Sequence, residues 1–474
     1  MGDLVDARGY FWWADEPIPE GNWAPEGLAT GRLTVSESGL ADLALDMPLP
    51  RLPGPGRMAI AFEQELPHSA IVGVLAGTNE RVRLWALIKN GSKLAARGPS
   101  HEGFIAQRCL IGLALPEGEE PTFDTLLCSL EGYENWLIAE HIEVTQNDRG
   151  ATAAYARPEP VTWSTRRFEV VLRRSLRGTG PGKQTRIEWT ETADLEFRGE
   201  PMDVEAALEL AGRIEDLMIL LTDSERGMAF PRVITGVGAP ARLFYARGHR
   251  KDAAVRWNDC WARFPQIQDI FGTLVEAWLD GHERFGPGFH LYLGNRRVAQ
   301  SYPEFRFASF MWGLEAMHRR DAPPAENPNL VEKVGRILSD IKLDKDRKWA
   351  KGKLPVTEEP SLGTRLYEVL KDLPIGLTSA ELTAFATRCT KRRNDVSHFG
   401  GARDGAGYDE FLEDIEALNG ALDLLYHARI LQLIGLPPAD LRWWFLEGFR
   451  EYQMRLVLQR AGFSLPDNGR ANRE

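Results

Sequence analysis

The residues of this sequence that are best suited to chemistry lie in one short stretch, KRRNDVSHFGG, which runs from Lys391 to Gly401. Arg393 and His398 stand five positions apart, and Asn394 lies between them. An arginine can hold a phosphate through two parallel hydrogen bonds, and a histidine can transfer a proton near neutral pH. The stretch therefore contains either a catalytic pair that acts on a phosphate or an arginine and a histidine that only share a helix.

Spacing alone does not separate these two interpretations. Arg97 precedes His101 by four positions and Arg284 precedes His290 by six, so similar pairs occur elsewhere in the chain by chance. The first of these pairs lies in a region that reads as strands. The second spans RFGPGFH, whose glycine and proline residues would break a helix.

The surroundings of Arg393 are more informative than its distance from His398. The segment SAELTAFATRCTKRRNDVSHF predicts a helix, and Thr378 with Glu381 has the spacing of a capping box at its start. Arg393 falls on the inward stripe of this helix, where an unpaired charge is costly, so it needs a carboxylate of the same chain or an anion at an interface. The stripe consists of Leu382, Phe385, Ala386, Cys389 and Val396.

Arg393 and His398 do not face the same direction on a regular helix, because residues five apart differ by about 140° around the axis. Gly400 supplies a C-cap shortly after His398, so the histidine belongs to the last turn. A pair that acts together therefore needs either a frayed helix end or a second copy of the helix facing the first.

The elements that must position this helix differ along the chain. Up to about residue 200 the sequence reads as strands, with a hairpin in GRLTVSESGLADLALDM and a further strand in ENWLIAEHIEV. Residues 202 to 222 predict a helix, and from about residue 265 the chain is mostly helical. The sequence therefore predicts an α+β protein, in which an all-α helix bundle follows a β-rich N-terminal part after a boundary near residue 298.

The composition limits the classes of protein. The chain has 474 residues, of which 43% are hydrophobic and 26% charged, and the net charge of −11 argues against a protein that coats nucleic acid. The four cysteines have no zinc-site or redox spacing, and no metal or nucleotide-loop motif is complete. MGDLVDARG is not a signal peptide, and no apolar run approaches the ~20 residues that cross a bilayer. We therefore expect a cytoplasmic protein without a metal, a cofactor or a membrane partner.

The signature stretch RRNDVSHFGG resembles the RN-x-x-x-H motif of HEPN domains, the higher-eukaryote and prokaryote nucleotide-binding helical bundles. FRFASFMWGLEAMHRR is similar to the first helix of the ApeA-like HEPN branch, and LLYHARILQLIGL is similar to the last helices of that bundle. GYFWWADEP and the hairpin that follows it resemble the opening of the ApeA N-terminal domain. The resemblance implies an ApeA-like sensor or regulatory region at residues 1–298, β-rich to about 200 and mixed α/β after it, and a HEPN bundle at residues 299–474.

The resemblance also implies a function. HEPN ribonucleases of this kind are metal-independent endoribonucleases that act as homodimers, in which the signature helices of two protomers form a shared site. Carried onto this chain, Arg393 and His398 are the catalytic residues and Asn394 is a polar helper. ApeA-like proteins resemble abortive-infection defences against phage. The resemblance thus implies that the N-terminal region senses a phage-derived trigger, and that the bundle cuts host RNA, such as tRNA, to a 2′,3′-cyclic phosphate and a 5′-hydroxyl.

Two other functions stay open. Several HEPN branches lack the full signature, so this bundle could be catalytically silent and bind only RNA, a nucleotide or a partner protein. It could also be a helical dimerisation module in which Arg393 and His398 have structural roles.

Further residues are candidates for supporting roles. Glu315 could steady Arg393 across the bundle, or form a salt bridge on its own helix. His318 is expected to belong to the bundle or to its surface. The basic run KLDKDRKWAKGK, residues 342 to 353, reads as a solvated loop or as an RNA-guiding patch with a stacking aromatic. The candidates for RNA contact are Lys348, Trp349, Lys351, Lys391 and Arg392.

Overall fold

The computed structural model of the chain describes residues 3–49, 70–93, 100–113, 120–138, 140–148, 150–179, 187–236, 238–248, 253–297, 301–323, 326–354, 356–357, 359–399 and 407–466. Contacts within the chain group it into two compact units. The N-terminal unit comprises Met1–Ile219 and Ser224–Val255, and the C-terminal unit comprises Leu220–Asp223 and Arg256–Glu474. Among the described residues, no helix combines the length and the apolar character that crossing a membrane requires.

The N-terminal unit is built mainly of antiparallel strands. They are β1 (Val5–Trp13), β2 (Ala29–Val35), β3 (Ala41–Leu45), β4 (Ala70–Leu75), β5 (Arg81–Lys93), β6 (His101–Ile111), β7 (Phe123–Ser129), β8 (Ile142–Asn147), β9 (Gly150–Tyr155), β10 (Val161–Ser164), β11 (Phe168–Gly178), β12 (Trp189–Met202), β13 (Arg232–Ile234) and β14 (Ala241–Tyr245). One sheet has the order β10-β11-β12-β7-β13-β14-β6-β3-β2-β1-β4-β5, while β8 and β9 form a separate ribbon. Because β5 also pairs with β6, the strands from β6 to β5 close into a barrel.

The hairpin of β2 and β3 shows how the sequence pattern builds this barrel. In β2, Leu33 and Val35 are fully buried in the core, whereas Arg32, next to Leu33, is exposed. Successive side chains along a strand point to opposite faces, so this alternation is expected. The turn uses Gly39 at φ +78°, where a Cβ would lie 2.0 Å from the carbonyl oxygen of Tyr245. The hairpin predicted from GRLTVSESGLADLALDM is confirmed.

The strand predicted for ENWLIAEHIEV is wrong in its first half. Glu134–Leu137 forms a short helix, α1, and only the second half continues as β8. Tyr133, Trp136 and Leu137 are all buried. Residues with this spacing share one face of a helix, whereas a strand would send the last two to opposite sides. The helix predicted at residues 202 to 222 is confirmed as α2 (Val204–Thr222).

The C-terminal unit is helical, as predicted for the end of the chain. Its helices are α3 (Phe264–Ile267), α4 (Phe271–Phe285), α5 (Pro287–Arg297), α6 (Pro303–Asp321), α7 (Pro328–Asp340), α8 (Asp344–Lys351), α9 (Leu362–Leu370), α10 (Ser379–Phe399), α11 (Tyr408–Leu433), α12 (Pro438–Leu446) and α13 (Glu451–Arg460). Helix α6 packs against α4, α5, α9, α10 and α11. Its buried face contains Phe307, Phe310, Met311, Leu314 and Met317.

A neutral histidine lies in the core of this unit. Nε2 of His427, on α11, is 2.9 Å from the carbonyl oxygen of Leu220, and Nδ1 is 2.9 Å from the hydroxyl of Tyr292. Nε2–H therefore donates to the carbonyl, and Nδ1 accepts from the hydroxyl. The ring stacks on Trp261 with centroids 4.6 Å apart. Burial lowers the pKa of His427 to about 4, although the nearby carboxylate of Asp223 acts in the opposite direction.

The basic run at residues 342 to 353 contains a helix, so the loop interpretation is wrong. Helix α8 begins with Asp344 and Asp346 and ends with Lys348 and Lys351. Acidic residues in the first turn and basic residues in the last turn stabilise a helix through its dipole. The charged residues of this run, which suggested a solvated loop, thus stabilise helix α8. They are exposed to solvent on this helix.

The boundary predicted near residue 298 falls at residues outside the described part of the chain. Helices α3, α4 and α5 precede that position and belong to the C-terminal unit, whose contacts begin at Arg256 apart from Leu220–Asp223. The boundary between a regulatory and a catalytic region near 298 stays a prediction.

Candidate active site

Helix α10 carries the signature residues near its C-terminal end. The predicted capping box is present: the backbone N–H of Glu381 donates to Thr378 Oγ1 at 3.2 Å, and that of Thr378 donates to Glu381 Oε2 at 2.9 Å. Val396, near the other end, is only half-buried. The helix extends through His398 to Phe399. Its buried stripe consists of Leu382, Phe385, Ala386 and Cys389.

Arg393 is half-buried at the point where this stripe leaves the core. Its Nη1 lies 3.5 Å from Oδ1 of Asn394, a long contact that holds the guanidinium only weakly. Its Nε is buried and has no hydrogen-bond partner among the described residues. Arg393 therefore retains donors that suit an oxyanion, and Asn394 lies beside them.

The arginines before Arg393 are held in place by two aspartates. Nε of Arg388 donates to Oδ1 of Asp414 on α11 at 2.7 Å, and Nε of Arg392 donates to Oδ2 of the same carboxylate. Nη1 of Arg392 also lies 3.3 Å from Oδ2 of Asp395, whose side chain is fully buried. We call Arg388, Arg392, Asp395 and Asp414 the arginine–aspartate clamp. It joins the last turns of α10 to α11.

The charges of the clamp reinforce one another. Burial alone would raise the pKa of Asp414, but the hydrogen bonds from Arg388 and Arg392 outweigh it, and the pKa lies below its usual value of 3.8. The guanidinium of Arg392 also lies 5.3 Å from the centre of the Phe411 ring. Arg392, a candidate for RNA contact in the sequence, thus has an anchoring role, and its contact with RNA stays a prediction.

A groove of about 880 Å³ runs beside the clamp between α10, α11 and α13. Lys391 and Arg460 line this groove, and so does an acidic ridge of α11. That ridge contains the exposed residues Glu410, Glu413 and Glu416. The groove therefore presents opposite charges side by side, and Lys391 is exposed at its edge.

The remaining candidates lie on three elements. The backbone of His398 belongs to α10, but its side chain lies outside the described part of the structure. Glu315 on α6 accepts from Arg319 Nη2 at 3.0 Å, the salt bridge on its own helix, and its support of Arg393 stays a prediction. Trp349 on α8 is 68% exposed. Lys348 and Lys351 beside it are also exposed.

The second arginine–histidine pair is broken up by the fold. Helix α4 ends at Phe285, and Gly286 with φ +48° separates it from α5. Arg284 forms a salt bridge with Asp321, and Nε2 of His290 lies 3.1 Å from Nδ1 of His282. This pair therefore has no shared site, which matches the helix break predicted from RFGPGFH.

Sequence reasoning missed both aspartates of the clamp. Asp395 stands three positions after Arg392, the spacing of an ion pair along a helix, so a signal for it was present. Asp414 lies on another helix, and no local pattern connects it with Arg388 and Arg392. Among the described residues, no group of three or more histidine, cysteine, aspartate or glutamate side chains is arranged to hold a metal ion.

Two family models match the chain. The model described as Apea-like HEPN matches residues 309–440, which include α10 with Arg393, Asn394 and His398, so the helical bundle is an HEPN domain. The model described as ApeA N-terminal domain 1 matches residues 6–278, more than half of the 474 residues. The chain therefore belongs to the ApeA family, in which this domain precedes an Apea-like HEPN domain. No curated protein and no solved structure matches the chain.

Proposed function

We propose that the protein is a metal-independent endoribonuclease of antiphage defence, which cuts host RNA in the cytoplasm when infection is sensed. One observation carries the proposal. Arg388 and Arg392 are both bound by Asp414, whereas Arg393 forms no ion pair with any described residue. A half-buried guanidinium in this situation needs an oxyanion. The match to the HEPN model makes the phosphate of RNA the candidate.

The proposed chemistry uses the nucleophile of the substrate. His398 removes the proton of a ribose 2′-hydroxyl, whose oxygen attacks the adjacent phosphorus. The bond between phosphorus and the 5′-oxygen breaks. That oxygen takes a proton from His398, which the first step has protonated. Arg393 donates two hydrogen bonds to the non-bridging oxygens, where negative charge builds up, and Asn394 orients the same phosphate. The products are a 2′,3′-cyclic phosphate and a free 5′-hydroxyl.

The proposed active form is a homodimer through the C-terminal bundle. Arg393 and His398 are about 140° apart around α10, so two helices facing each other bring a complete set together. The groove supports this arrangement, because Lys391 of one copy can face the acidic ridge around Glu413 of the other in a two-fold contact. Light scattering is expected to give about twice the mass of one chain. A strict monomer that cleaves RNA would refute the shared site.

RNA reaches this site, in our proposal, past α8. The exposed ring of Trp349 can stack on an unpaired base, and Lys348 and Lys351 can contact phosphates. An anticodon loop of tRNA presents unstacked bases and accessible 2′-hydroxyls, so tRNA is the substrate we propose. The β-rich N-terminal region restrains the nuclease until it binds a phage-derived trigger.

The decisive experiment is the identification of the product ends. Purified full-length protein is incubated with tRNA and excess EDTA, and the fragments are analysed by mass spectrometry. We expect 2′,3′-cyclic phosphates and 5′-hydroxyls, and resistance of a substrate with 2′-deoxyribose at the cut position. His398→Ala is expected to reduce cleavage by about 10²–10⁴-fold, the usual loss for a general acid–base group.

The control for this experiment is the double variant Arg284→Ala and His290→Ala, which is expected to cleave normally because that pair has no shared site. Cleavage that requires magnesium and leaves a 5′-phosphate would refute the proposal. Binding of tRNA without cleavage would favour the catalytically silent alternative.

A further inference from the structure

A second cavity lies within the C-terminal unit, where α6, α9 and α11 end. It has a volume of about 190 Å³, and its walls include Met317, Val369 and Leu433. Its basic lining residues are His318 of α6, Arg429 of α11 and Lys371, which is paired with Glu368. Arg429 follows Asp414 by fifteen residues on the same helix, so the cavity is about 22 Å along α11 from the clamp. It is therefore separate from the candidate active site.

Arg429 has a buried donor to which the described residues offer no acceptor. Its Nη1 donates to Oε1 of Gln432 at 2.7 Å, but its Nε is buried and has no hydrogen-bond partner among the described residues. It forms no salt bridge with any residue of the described ranges. Burial is the main cause that lowers the pKa of this guanidinium, although Asp372 and Asp321 oppose the effect.

His318 also has a buried ring nitrogen that forms no hydrogen bond with the described residues. The residue is only 8% exposed, and its Nδ1 is buried with no hydrogen-bond partner in the part of the chain that the structure describes. Burial, followed by the charge of Arg365, lowers the pKa of His318, so the ring is neutral at pH 7. In the tautomer with its proton on Nδ1, the ring is a neutral donor to an oxygen atom.

The acidic residues that line the cavity do not accept hydrogen bonds from Nε of Arg429 or Nδ1 of His318. Asp321 is bound by Arg284, and Glu368 is bound by Lys371. Asp372 is exposed, so solvent screens its charge. As far as the structure is described, the cavity thus has two buried nitrogen atoms without hydrogen-bond partners, and an unsatisfied buried donor destabilises a fold.

We propose that this cavity binds a small organic anion, whose carboxylate or phosphate oxygens accept hydrogen bonds from Nε of Arg429 and Nδ1 of His318. The side of a guanidinium presents two parallel N–H groups, which match either oxyanion. The volume lies below the ~300–1,000 Å³ of pockets for drug-sized ligands and corresponds to roughly six water molecules. The ligand is therefore a metabolite of a few carbon atoms. This inference does not depend on the proposed ribonuclease activity.

The test is thermal unfolding of the full chain at pH 7 in sodium phosphate, sodium acetate or sodium chloride of equal ionic strength. We expect phosphate or acetate to raise the melting temperature by about 2 °C or more relative to chloride. The anion with the larger effect identifies the oxyanion. Because phosphate also stabilises proteins non-specifically, the comparison between variants decides the result.

Arg429→Lys keeps the charge but loses the planar fork, and His318→Asn removes the ring. Both variants are expected to lose most of the specific stabilisation, and either one remains informative if the other fails to fold. The exposed Arg336 of α7 provides the matched control, since Arg336→Gln is expected to respond like the natural sequence. An equal effect of all three salts on the natural sequence, or an unchanged response of Arg429→Lys and His318→Asn, would overturn the proposal.

Discussion

Asp414 on α11 accepts a hydrogen bond from Arg392 on α10, the residue that directly precedes Arg393. The same carboxylate binds Arg388 one turn earlier. The position of Arg393 is thus set by a neighbour whose own guanidinium is fixed from two sides, by Asp414 and Asp395. The clamp fixes the helix, while Nε of Arg393 has no hydrogen-bond partner among the described residues.

The first prediction concerns this clamp. Asp414→Asn removes the charge that Arg388 and Arg392 share, and a partly buried ion pair that loses one partner is destabilising. We expect the free energy of unfolding in urea to fall by about 2 kcal/mol. RNA cleavage should fall by roughly tenfold or more even at temperatures where the variant is folded, because Arg393 loses its fixed position.

The control is Asp409→Asn on the same helix. Asp409 is exposed and is not part of the acidic ridge or of the groove lining. A surface change of this kind is expected to alter stability by less than about 0.5 kcal/mol. Equal effects of the two variants on stability would mean that the clamp does not hold α10.

The second prediction separates charge from geometry at Arg393. Arg393→Lys keeps a positive charge but replaces the planar fork with a compact ammonium group. We expect cleavage of tRNA to fall nearly as far as in Arg393→Ala, with melting temperatures close to that of the natural protein, since Arg393 forms no ion pair with the described residues. A large loss of melting temperature with normal cleavage at low temperature would assign Arg393 a structural role instead.

The third prediction is a pH dependence of stability that arises from His427. Its folded pKa of about 4 lies below the ordinary value of 6.5, so the folded state favours the neutral ring. The corresponding stability is fully present above pH 6.5 and is lost as the pH falls from there through the folded pKa. The loss is on the order of 3 kcal/mol.

Urea unfolding at a series of pH values measures this effect. In His427→Gln, the amide can still donate to the carbonyl of Leu220 but has no proton to gain. A plot of the free energy of unfolding against pH should therefore be less steep between pH 6.5 and 4 than for the natural protein. The difference in slope should correspond to the binding of about one proton. Identical slopes would show that His427 does not titrate in this range.

The fourth prediction tests the domain boundary. A fragment of residues 299–474 lacks α4 and α5, whose buried Trp278, Phe289 and Tyr292 lie in the core of the C-terminal unit. We expect residues 256–474 to unfold cooperatively at a higher temperature than residues 299–474, as measured by circular dichroism. Equal melting temperatures would support the boundary near 298.

Local patterns were sufficient for elements whose residues are neighbours in sequence. The capping box of Thr378 and Glu381 and the buried stripe from Leu382 to Cys389 both follow from helical periodicity. In the same way, the β2–β3 hairpin follows from alternation around a glycine. The family resemblance added the proposed roles of Arg393, Asn394 and His398, which periodicity does not contain.

Distant pairings were not predictable in this way. Closure of the barrel depends on β5 and β6 pairing along their length, and the clamp depends on Asp414, which meets α10 only after the bundle has formed. The open donors of Arg393 became visible only when the partners of Arg388 and Arg392 were known. Sequence patterns proposed the residues of the candidate site, and tertiary structure shows which of them are bound by other described residues.

The closed barrel limits how a partner protein can be recognised by the N-terminal unit. Many proteins bind an extended peptide by adding it as a new strand to an exposed sheet edge. Here β4 and β5 are paired on both sides, so these two strands of the barrel have no free edge to which a peptide could be added. If a phage protein activates this chain, as we propose, its contact with the barrel is made through side chains on loops or sheet faces. Single substitutions there can then change its recognition without loss of the barrel.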